Sequence, residues 1–411
     1  MIRNRNPKIF YGYIIAVVTF IILGVAGGGV NTFGVFFEPM LLEFGWARAV
    51  ISGAFSLTLI LGGFLSIVTG RLTDKFGSRF ILTISGFLLG VGYILMSRTN
   101  AVWELYLFYG VIMGIGMSGV IIPLLTTLSR WFVKKRGMMN GLSIAGTGIG
   151  TIVMPILANR LISSYGWRIS FIAFGVISFV IIILTGQFLR RDPQSKGQLP
   201  DGDTGIQRDK SQAKELGLSF GKAIRTRQLW LLAISFFCVG FSVFTIIVHI
   251  VIHATGLGFL ATNAVSIVSI VGGANIVGRI VMGSAVDRIG SRSTLITSLI
   301  IMLVAVVWLQ YAKELWMLHL FAAIFGVSYG ASFVLVPLIV GDFFGLSSLG
   351  VIVGLINASL TTGGTVGPVL IGYIFDVTGS YQSGFLILAI VSVIGLVMAL
   401  LLKANSTTNP P

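Results

Sequence analysis

Twelve apolar segments, each roughly 20 or more residues long, make up most of this 411-residue chain. A segment of that length and composition crosses the hydrocarbon core of a bilayer as an α-helix. The chain is 55% hydrophobic and only 10% charged, more apolar surface than a water-soluble protein of this size needs. The sequence therefore predicts an all-α protein with twelve transmembrane helices, embedded in a lipid bilayer.

A hydrophilic stretch divides the twelve segments into six and six. It runs from Arg190 to Gln228 and is rich in Gly, Asp, Lys, Gln and Ser, a composition that does not support a packed core. We predict an N-terminal six-helix half over residues 1–189, a cytoplasmic linker over 190–228, and a C-terminal six-helix half over 229–411.

Basic residues lie mainly in the loops on one side of the predicted spans. The chain has 28 Lys and Arg against 13 Asp and Glu, and an excess of Lys and Arg marks cytoplasmic loops. The basic residues predicted on the other side are Arg48, Arg98, Arg160, Arg168 and Lys313. We therefore predict cytoplasmic termini in a multi-pass protein of a cell inner membrane, and no nucleic-acid partner.

A constant shift of 213 residues relates the two halves. The pairs include Gly70 with Gly283, Asp74 with Asp287, Arg79 with Arg292, Gly137 with Gly350, Gly141 with Gly354, Pro155 with Pro368, and Gly166 with Gly379. Chance matches between glycine-rich segments do not keep one register across four helices. Two six-helix halves in parallel repeat are the architecture of major facilitator transporters, and the chain resembles that family.

The loop after the second span carries the most specific motif of this resemblance. Residues 70–79, Gly-Arg-Leu-Thr-Asp-Lys-Phe-Gly-Ser-Arg, resemble the major facilitator loop signature, and residues 283–292 form a degenerate copy. A carboxylate at a helix N-terminus can pair with neighbouring basic side chains, and the resemblance implies a partner near residues 346–348. The predicted conformational latch comprises Asp74, Arg71, Arg79 and Asp287; the alternative is a loop that is merely basic.

Arg279 is the one charged side chain placed deep inside a predicted span. The run from Ala264 to Met282 holds no other ionisable group. An arginine keeps its proton at physiological pH, so its charge requires water, a partner or a ligand. This pattern predicts an anion-handling site, with an arginine held structurally by helix carbonyls as the alternative.

Three further motifs resemble the monocarboxylate transporters and their relatives, the oxalate:formate antiporters. They are Trp131–Gly146 before and within the fifth span, Tyr165-Gly166-Trp167-Arg168 before the sixth, and Thr226-Arg227-Gln228-Leu229-Trp230 before the seventh. The likeness covers the whole chain. These motifs separate this branch from sugar and drug carriers, but they do not separate substrates within it.

The resemblance implies a binding site around Arg279, which matches the arginine that binds the substrate carboxylate in those transporters. Asn275 stands where animal members have an aspartate, and Asn31 aligns with a lysine linked there to proton coupling. Tyr329 could hydrogen-bond a 2-hydroxyl or 2-keto oxygen, although core packing is a close alternative. Either asparagine could instead join neighbouring helices.

The substrate is predicted from the charge of the eleventh span. Oxalate carriers of this branch hold a second basic residue there, but residues 349–374 contain no Lys, Arg or His. One cation suits one carboxylate, so we expect proton symport of a short monocarboxylate such as L-lactate or pyruvate by alternating access. The alternatives are an oxalate:formate-type anion exchanger and a sensor or scaffold without transport.

Other functions are excluded by missing motifs. The sequence has no nucleotide-binding Gly-x-x-x-x-Gly-Lys-Ser/Thr loop and no paired acidic or nucleophilic residues in a span, so neither an ATP-driven pump nor an enzyme is expected. His249 and His253 share a helix face without further metal ligands, so they predict an interfacial or mouth position, or a proton relay. Gly146-Thr-Gly148-Ile-Gly150 predicts helix packing, with no cofactor. We expect no obligatory protein partner.

Overall fold

The computed structural model of the chain describes residues 10–132, 136–202, 218–345 and 348–402. Within these ranges it contains eleven helices that are long and apolar enough to cross a membrane. We number them by predicted span: α1 Gly12–Phe44, α2 Arg48–Phe76, α3 Ser78–Met96, α4 Val102–Trp131, α5 and α6 together Arg136–Gly186, α7 Arg227–Gly256, α8 Ala261–Ile289, α9 Ser291–Leu309, α10 Leu315–Phe344, α11 Leu349–Thr378 and α12 Gln382–Leu400.

The longest helix, Arg136–Gly186, accounts for two predicted spans, 137–160 and 168–189. Its backbone departs from helical geometry at Gly166, where φ is 81°. Glycine adopts this left-handed region without the steric penalty of a side chain. We take α5 as residues 136–165 and α6 as 167–186, so the all-α fold with twelve transmembrane helices is confirmed.

The chain divides into two compact units that differ from the two halves of the sequence. The first comprises residues 1–30, 61–150 and 161–209, and the second 31–60, 151–160 and 210–411. Residues 31–44 of α1 and residues 48–60 of α2, nearly half of that helix, thus belong to the second unit. The division at 189 and 229, which rests on the hydrophilic stretch between the sixth and seventh spans, stays a prediction.

Small residues bring helices together in the same way within each unit. A Cβ on Gly150 of α5 would overlap the carbonyl oxygen of Gly24 in α1, and one on Gly146 would overlap that of Phe20. In the second unit a Cβ on Gly363 of α11 would overlap the carbonyl oxygen of Phe237 in α7. The packing interpretation of the Gly-x-Gly pattern is therefore confirmed.

The repeat extends to the starts of α3 and α9. Gly77 and Gly290 precede these helices with φ of 85° and 80°, a backbone that favours glycine. Two residues further on, Arg79 donates a hydrogen bond of 3.4 Å to the carbonyl of Leu189 after α6, and Arg292 donates one of 3.0 Å to that of Leu400 in α12. Each arginine thus ties the start of the third helix of its half to the end of the sixth.

Helix packing in the second unit positions the candidate site. The helix α7 packs against α11 and α12, and α10 packs against both α8 and α9. The last part of α1, Phe33–Phe44, also contacts α7. Almost every residue of α7 from Leu231 to Ile252 is buried, so this helix is central to the unit.

Candidate functional site

The candidate site begins with Arg279, which lies half-buried in α8. Glycines bring the backbones of α8 and α10 together around it. A Cβ on Gly278 would overlap the carbonyl oxygen of Val327, and one on Gly330 would overlap that of Asn275 and come within 3.0 Å of the amide nitrogen of Arg279. Because small residues permit this approach, side chains of α10 come into reach of the arginine.

Tyr329 is the side chain of α10 that interacts electrostatically with Arg279. It is only 7% exposed, and its hydroxyl lies close enough to the side chain of Asn31 of α1 to interact with it. The Asn31 amide also donates a hydrogen bond of 2.7 Å to Thr151 Oγ1 of α5. Three of the four predicted substrate-binding residues are thus linked in space.

Asn275, the fourth predicted residue, lies one helical turn before Arg279 in α8 and is 2% exposed. Among the described residues, neither its side-chain oxygen nor its side-chain nitrogen has a hydrogen-bond partner. Leaving such a group buried costs about 1–3 kcal/mol. A polar ligand beside Arg279 would recover this energy.

Phe333 also lies beside Arg279 and Tyr329, although it is not among the site residues predicted from the sequence. Its ring centroid lies 5.9 Å from the Arg279 guanidinium carbon and 5.7 Å from the Tyr329 ring, in an edge-on arrangement. The aromatic face attracts the cation and limits the space beside it. The signal in the sequence is its spacing, one turn after Tyr329 on α10.

The site combines one fixed cation with neutral polar groups in apolar surroundings. A guanidinium presents two parallel N–H groups to a carboxylate, and a low dielectric strengthens that pair. Among the residues that the structure describes, no three His, Cys, Asp or Glu side chains lie close enough together to hold a metal ion. The arrangement is suited to binding a small organic anion.

The predicted latch falls mostly outside the described side chains. Those of Asp74 and Asp287 are not described, and neither are residues 346 and 347 of the implied partner segment. Arg71 is exposed, whereas Arg79 bonds Leu189 as given above. The latch remains a prediction.

Comparison with known proteins identifies the family of this chain. A sequence profile described as Major Facilitator Superfamily matches residues 19–284 and 266–411, which is most of the chain. The chain belongs to the major facilitator superfamily. It is therefore a transporter with the twelve-helix fold of that superfamily.

Several relatives of this major facilitator transporter cover nearly the full chain. Monocarboxylate transporter 13 of Rattus norvegicus is 26% identical over 94% of this chain and 87% of its own length. MFS-type transporter opdF of Penicillium oxalicum is 28% identical over 86% and 80%. The uncharacterized MFS-type transporter YhjX of Escherichia coli is 26% identical over 80% of each.

A solved structure of the superfamily shares the fold. The bacterial homolog of the human lysosomal transporter Spinster, in an inward-facing and occupied conformation, superimposes with a TM-score of 0.74 over 97% of both chains. The sequence identity is 14%, so this likeness concerns the fold alone.

Proposed function

We propose that this transporter carries a small monocarboxylate, with L-lactate or pyruvate as first candidates, by proton symport with alternating access. The observation that carries the proposal is Arg279 in an apolar helix, one turn from the buried Asn275 amide that lacks a hydrogen-bond partner among the described residues. We place the protein in a cell inner membrane, and the distribution of Lys and Arg supports cytoplasmic termini.

In the proposed binding mode, Arg279 holds the carboxylate through two parallel hydrogen bonds. Asn275 supplies a donor and an acceptor from the same face of α8. Tyr329, which lies beside Asn31, contacts the 2-hydroxyl or 2-keto oxygen. Phe333 packs beside the short alkyl group and excludes longer chains.

Two observations, on α11 and on the relatives, support the single negative charge of the proposed substrate. Between Leu349 and Ile374 the sequence has no Lys, Arg or His that could hold a second carboxylate. Relatives that cover nearly the full chain include proteins named monocarboxylate transporter 13 and monocarboxylate transporter 11. Both observations favour a monocarboxylate over a dicarboxylate.

Proton coupling needs a titratable group other than Asn275, because an amide does not titrate. Purified protein in proteoliposomes would be given labelled L-lactate with the outside at pH 6 or pH 7.5 and the inside at pH 7.5. We expect faster uptake and accumulation with acid outside, both abolished by a protonophore. An uptake rate that does not depend on the pH gradient would contradict proton symport.

The same vesicles test the exchanger. Loading them with formate or oxalate should not accelerate lactate entry in a symporter. Strong stimulation by the internal anion, without pH dependence, would assign an oxalate:formate-type exchange instead. Absence of flux for a broad panel of carboxylates would favour a sensor or scaffold.

A further inference from the structure

A second polar cluster lies in the second unit, away from Arg279 along the helices. We call it the Tyr381 cluster; its members are Arg48, Ser52, His249, Pro368, Asp376 and Tyr381. It contains the start of α2 and the end of α11, which the charge distribution places on the outer side of the membrane. His249 is 1% exposed, so it is enclosed by helices.

Both nitrogens of the His249 ring make hydrogen bonds. Nε2 lies 2.8 Å from the carbonyl oxygen of Pro368 and 3.3 Å from Ser52 Oγ, and Nδ1 lies 3.0 Å from the Tyr381 hydroxyl. A carbonyl oxygen can only accept, so Nε2 carries a hydrogen. The charge of the ring then depends on whether Nδ1 accepts from Tyr381 or donates to it.

The hydrogen bond between Arg48 and Tyr381 determines whether Nδ1 of His249 accepts a hydrogen bond from Tyr381 or donates one to it. Arg48 Nη1 lies 3.3 Å from the Tyr381 hydroxyl oxygen, and a guanidinium can only donate. Burial raises the pKa of Tyr381, although the Arg48 charge opposes this, so the phenol keeps its hydrogen. With a neutral ring, Arg48 donates to Tyr381, Tyr381 donates to Nδ1, and Nε2 donates to Pro368. Every donor in this relay then has an acceptor.

A proton on Nδ1 would disrupt this chain of hydrogen bonds from Arg48 to Pro368. Tyr381 would have to accept from both Arg48 and His249, its own hydrogen would lose its acceptor, and two cations would share one hydroxyl group. Unmet donors and like charges in a buried cluster are costly. While the hydrogen bonds of the Tyr381 cluster are formed, which we call its closed state, the neutral form of the His249 ring is therefore favoured.

The other groups packed around His249 do not offset this charge. Asp376, the carboxylate of the cluster, accepts hydrogen bonds of 3.0 Å from the amide nitrogens of Arg48 and Ala49 at the start of α2. On its own helix the titratable neighbour is His253, whose ring packs against Tyr381 and Phe385. The last part of α1 contributes the apolar ring of Phe37, 5.5 Å away.

The cluster joins α2 to three other elements. Asp376 of α11 holds the first turn of α2, Tyr381 before α12 binds Arg48, and His249 of α7 contacts Ser52. One turn further along α2, Ser56 Oγ donates a hydrogen bond of 2.7 Å to the Thr365 carbonyl of α11. Separation of α2 from α7 and α11 would break these contacts together and admit water to His249.

We infer that His249 is the proton-binding residue of the transport cycle: it is neutral while the Tyr381 cluster is closed and takes up a proton when the cluster opens. The inference rests on the proposed transport function. An imidazole in water titrates near pH 6.5, and the closed cluster excludes the proton. Lowering the pH through that value therefore favours the open cluster, by up to about tenfold per pH unit.

A thiol at Ser56 would measure the opening without any substrate. Ser56 is 3% exposed, and Cys238, the single native cysteine, is replaced by alanine so that Ser56→Cys is the one reactive site. The labelling rate with a membrane-impermeant charged methanethiosulfonate is measured from pH 7.5 to 5.5. The reference is the same protein with His249→Gln, because glutamine forms neutral hydrogen bonds but does not titrate. In the ratio of the two labelling rates, the effects of pH on the reagent and on the thiol cancel.

We expect the labelling ratio of the His249 protein to the His249→Gln protein to rise several-fold between pH 7.5 and 5.5. The matched control is His253→Gln, one turn away on α7, which should retain the rise. A ratio that does not change with pH would overturn the inference, and loss of the rise in His253→Gln would assign the proton to that residue instead.

Lactate uptake in the same proteoliposomes separates the two proposals. In His249→Gln, acid outside should no longer accelerate uptake, while exchange of labelled for unlabelled lactate persists. A pH-dependent labelling ratio without any lactate flux would refute the proposed substrate alone. Proton-coupled lactate uptake that is unaltered by His249→Gln would refute the role of His249 alone.

Discussion

The two halves of this transporter repeat their scaffold closely. Gly24 approaches Gly150 in the N-terminal half, and Phe237 approaches Gly363 in the C-terminal half, with both members shifted by 213 residues. The hydrogen bonds of Arg79 and Arg292 to the end of the sixth helix of each half repeat in the same way. Helix contacts and helix starts are thus common to both halves.

The candidate site is where the halves differ. The positions that correspond to Arg279, Asn275 and Tyr329 in the N-terminal half hold Ser66, Gly62 and Gly116. Ser66 Oγ merely donates a hydrogen bond of 2.6 Å to the carbonyl of Gly63, within its own helix. The repeat thus accounts for the helix packing, whereas the polar side chains of the candidate site occur in one copy alone.

Substitution of Arg279, which has no charged counterpart in the N-terminal half, should affect transport most strongly. Arg279→Ala should reduce monocarboxylate uptake at least about 100-fold, because the carboxylate then enters an apolar site without a counter-charge. Arg279→Lys should also lose most uptake, since an ammonium group is a point charge without the planar fork. Initial rates of labelled L-lactate uptake in proteoliposomes measure both.

The matched control is Ser66→Ala, the corresponding position of the other half, which should transport at the normal rate. Size-exclusion profiles in detergent show whether each variant is folded. Normal uptake by folded Arg279→Ala would disprove the site, and an equal loss in Ser66→Ala would show that both copies of this helix position matter.

The second prediction concerns the close helix contacts at Gly150 and Gly363, which occur at corresponding positions of the two halves. Gly150→Ala and Gly363→Ala should each destabilise the protein by about 1–3 kcal/mol, because the added Cβ overlaps a backbone carbonyl of the facing helix. Thermal unfolding in detergent gives the comparison. If the repeat sets the packing, the two losses should be similar.

Another corresponding pair of glycines provides the control. A Cβ on Gly141 or on Gly354 would meet no atom within 4 Å. Alanine there should leave stability unchanged or raise it by about 0.5–1 kcal/mol, since alanine is the better helix former. Similar losses at all four glycines would show that helix backbone conformation, rather than close approach, explains them.

Much of the fold could be predicted because it depends on local features. Span length, hydropathy and the 213-residue repeat are read directly along the chain, and Arg279 stands out against its own apolar helix. The break at Gly166 follows the same logic, since its partner Gly379 also has a positive φ of 70°. These features need no knowledge of which helices touch.

The remaining features depend on contacts between distant residues. The side chains of Asn31 and Tyr329 lie close together although the two residues are nearly 300 positions apart in the sequence. His249 was expected at an interface or mouth, but its hydrogen bonds to Pro368 and Tyr381 enclose it. Spacing along a single helix indicates which residues share a face, but not what that face contacts.

The third prediction tests Asn275, whose counterpart Gly62 has no polar side chain. Asn275→Leu should raise the apparent KM for L-lactate about tenfold, because the ligand loses hydrogen bonds. The same change should preserve or raise the unfolding temperature, since it removes a buried amide without partners among the described residues. A fall in stability with unchanged KM would instead identify Asn275 as a structural link between helices.

The smallest effect is expected at Tyr329, where the counterpart Gly116 has no side chain at all. Tyr329→Phe removes one hydroxyl group and keeps the ring that packs against Phe333. A single neutral hydrogen bond contributes about 0.5–1.5 kcal/mol, so the apparent KM for L-lactate should rise roughly two- to tenfold. Propionate, which lacks the 2-hydroxyl, serves as the internal control and should be transported as by the unmodified protein. An equal loss for both substrates would show that the hydroxyl acts by fixing Asn31 rather than by contacting the substrate.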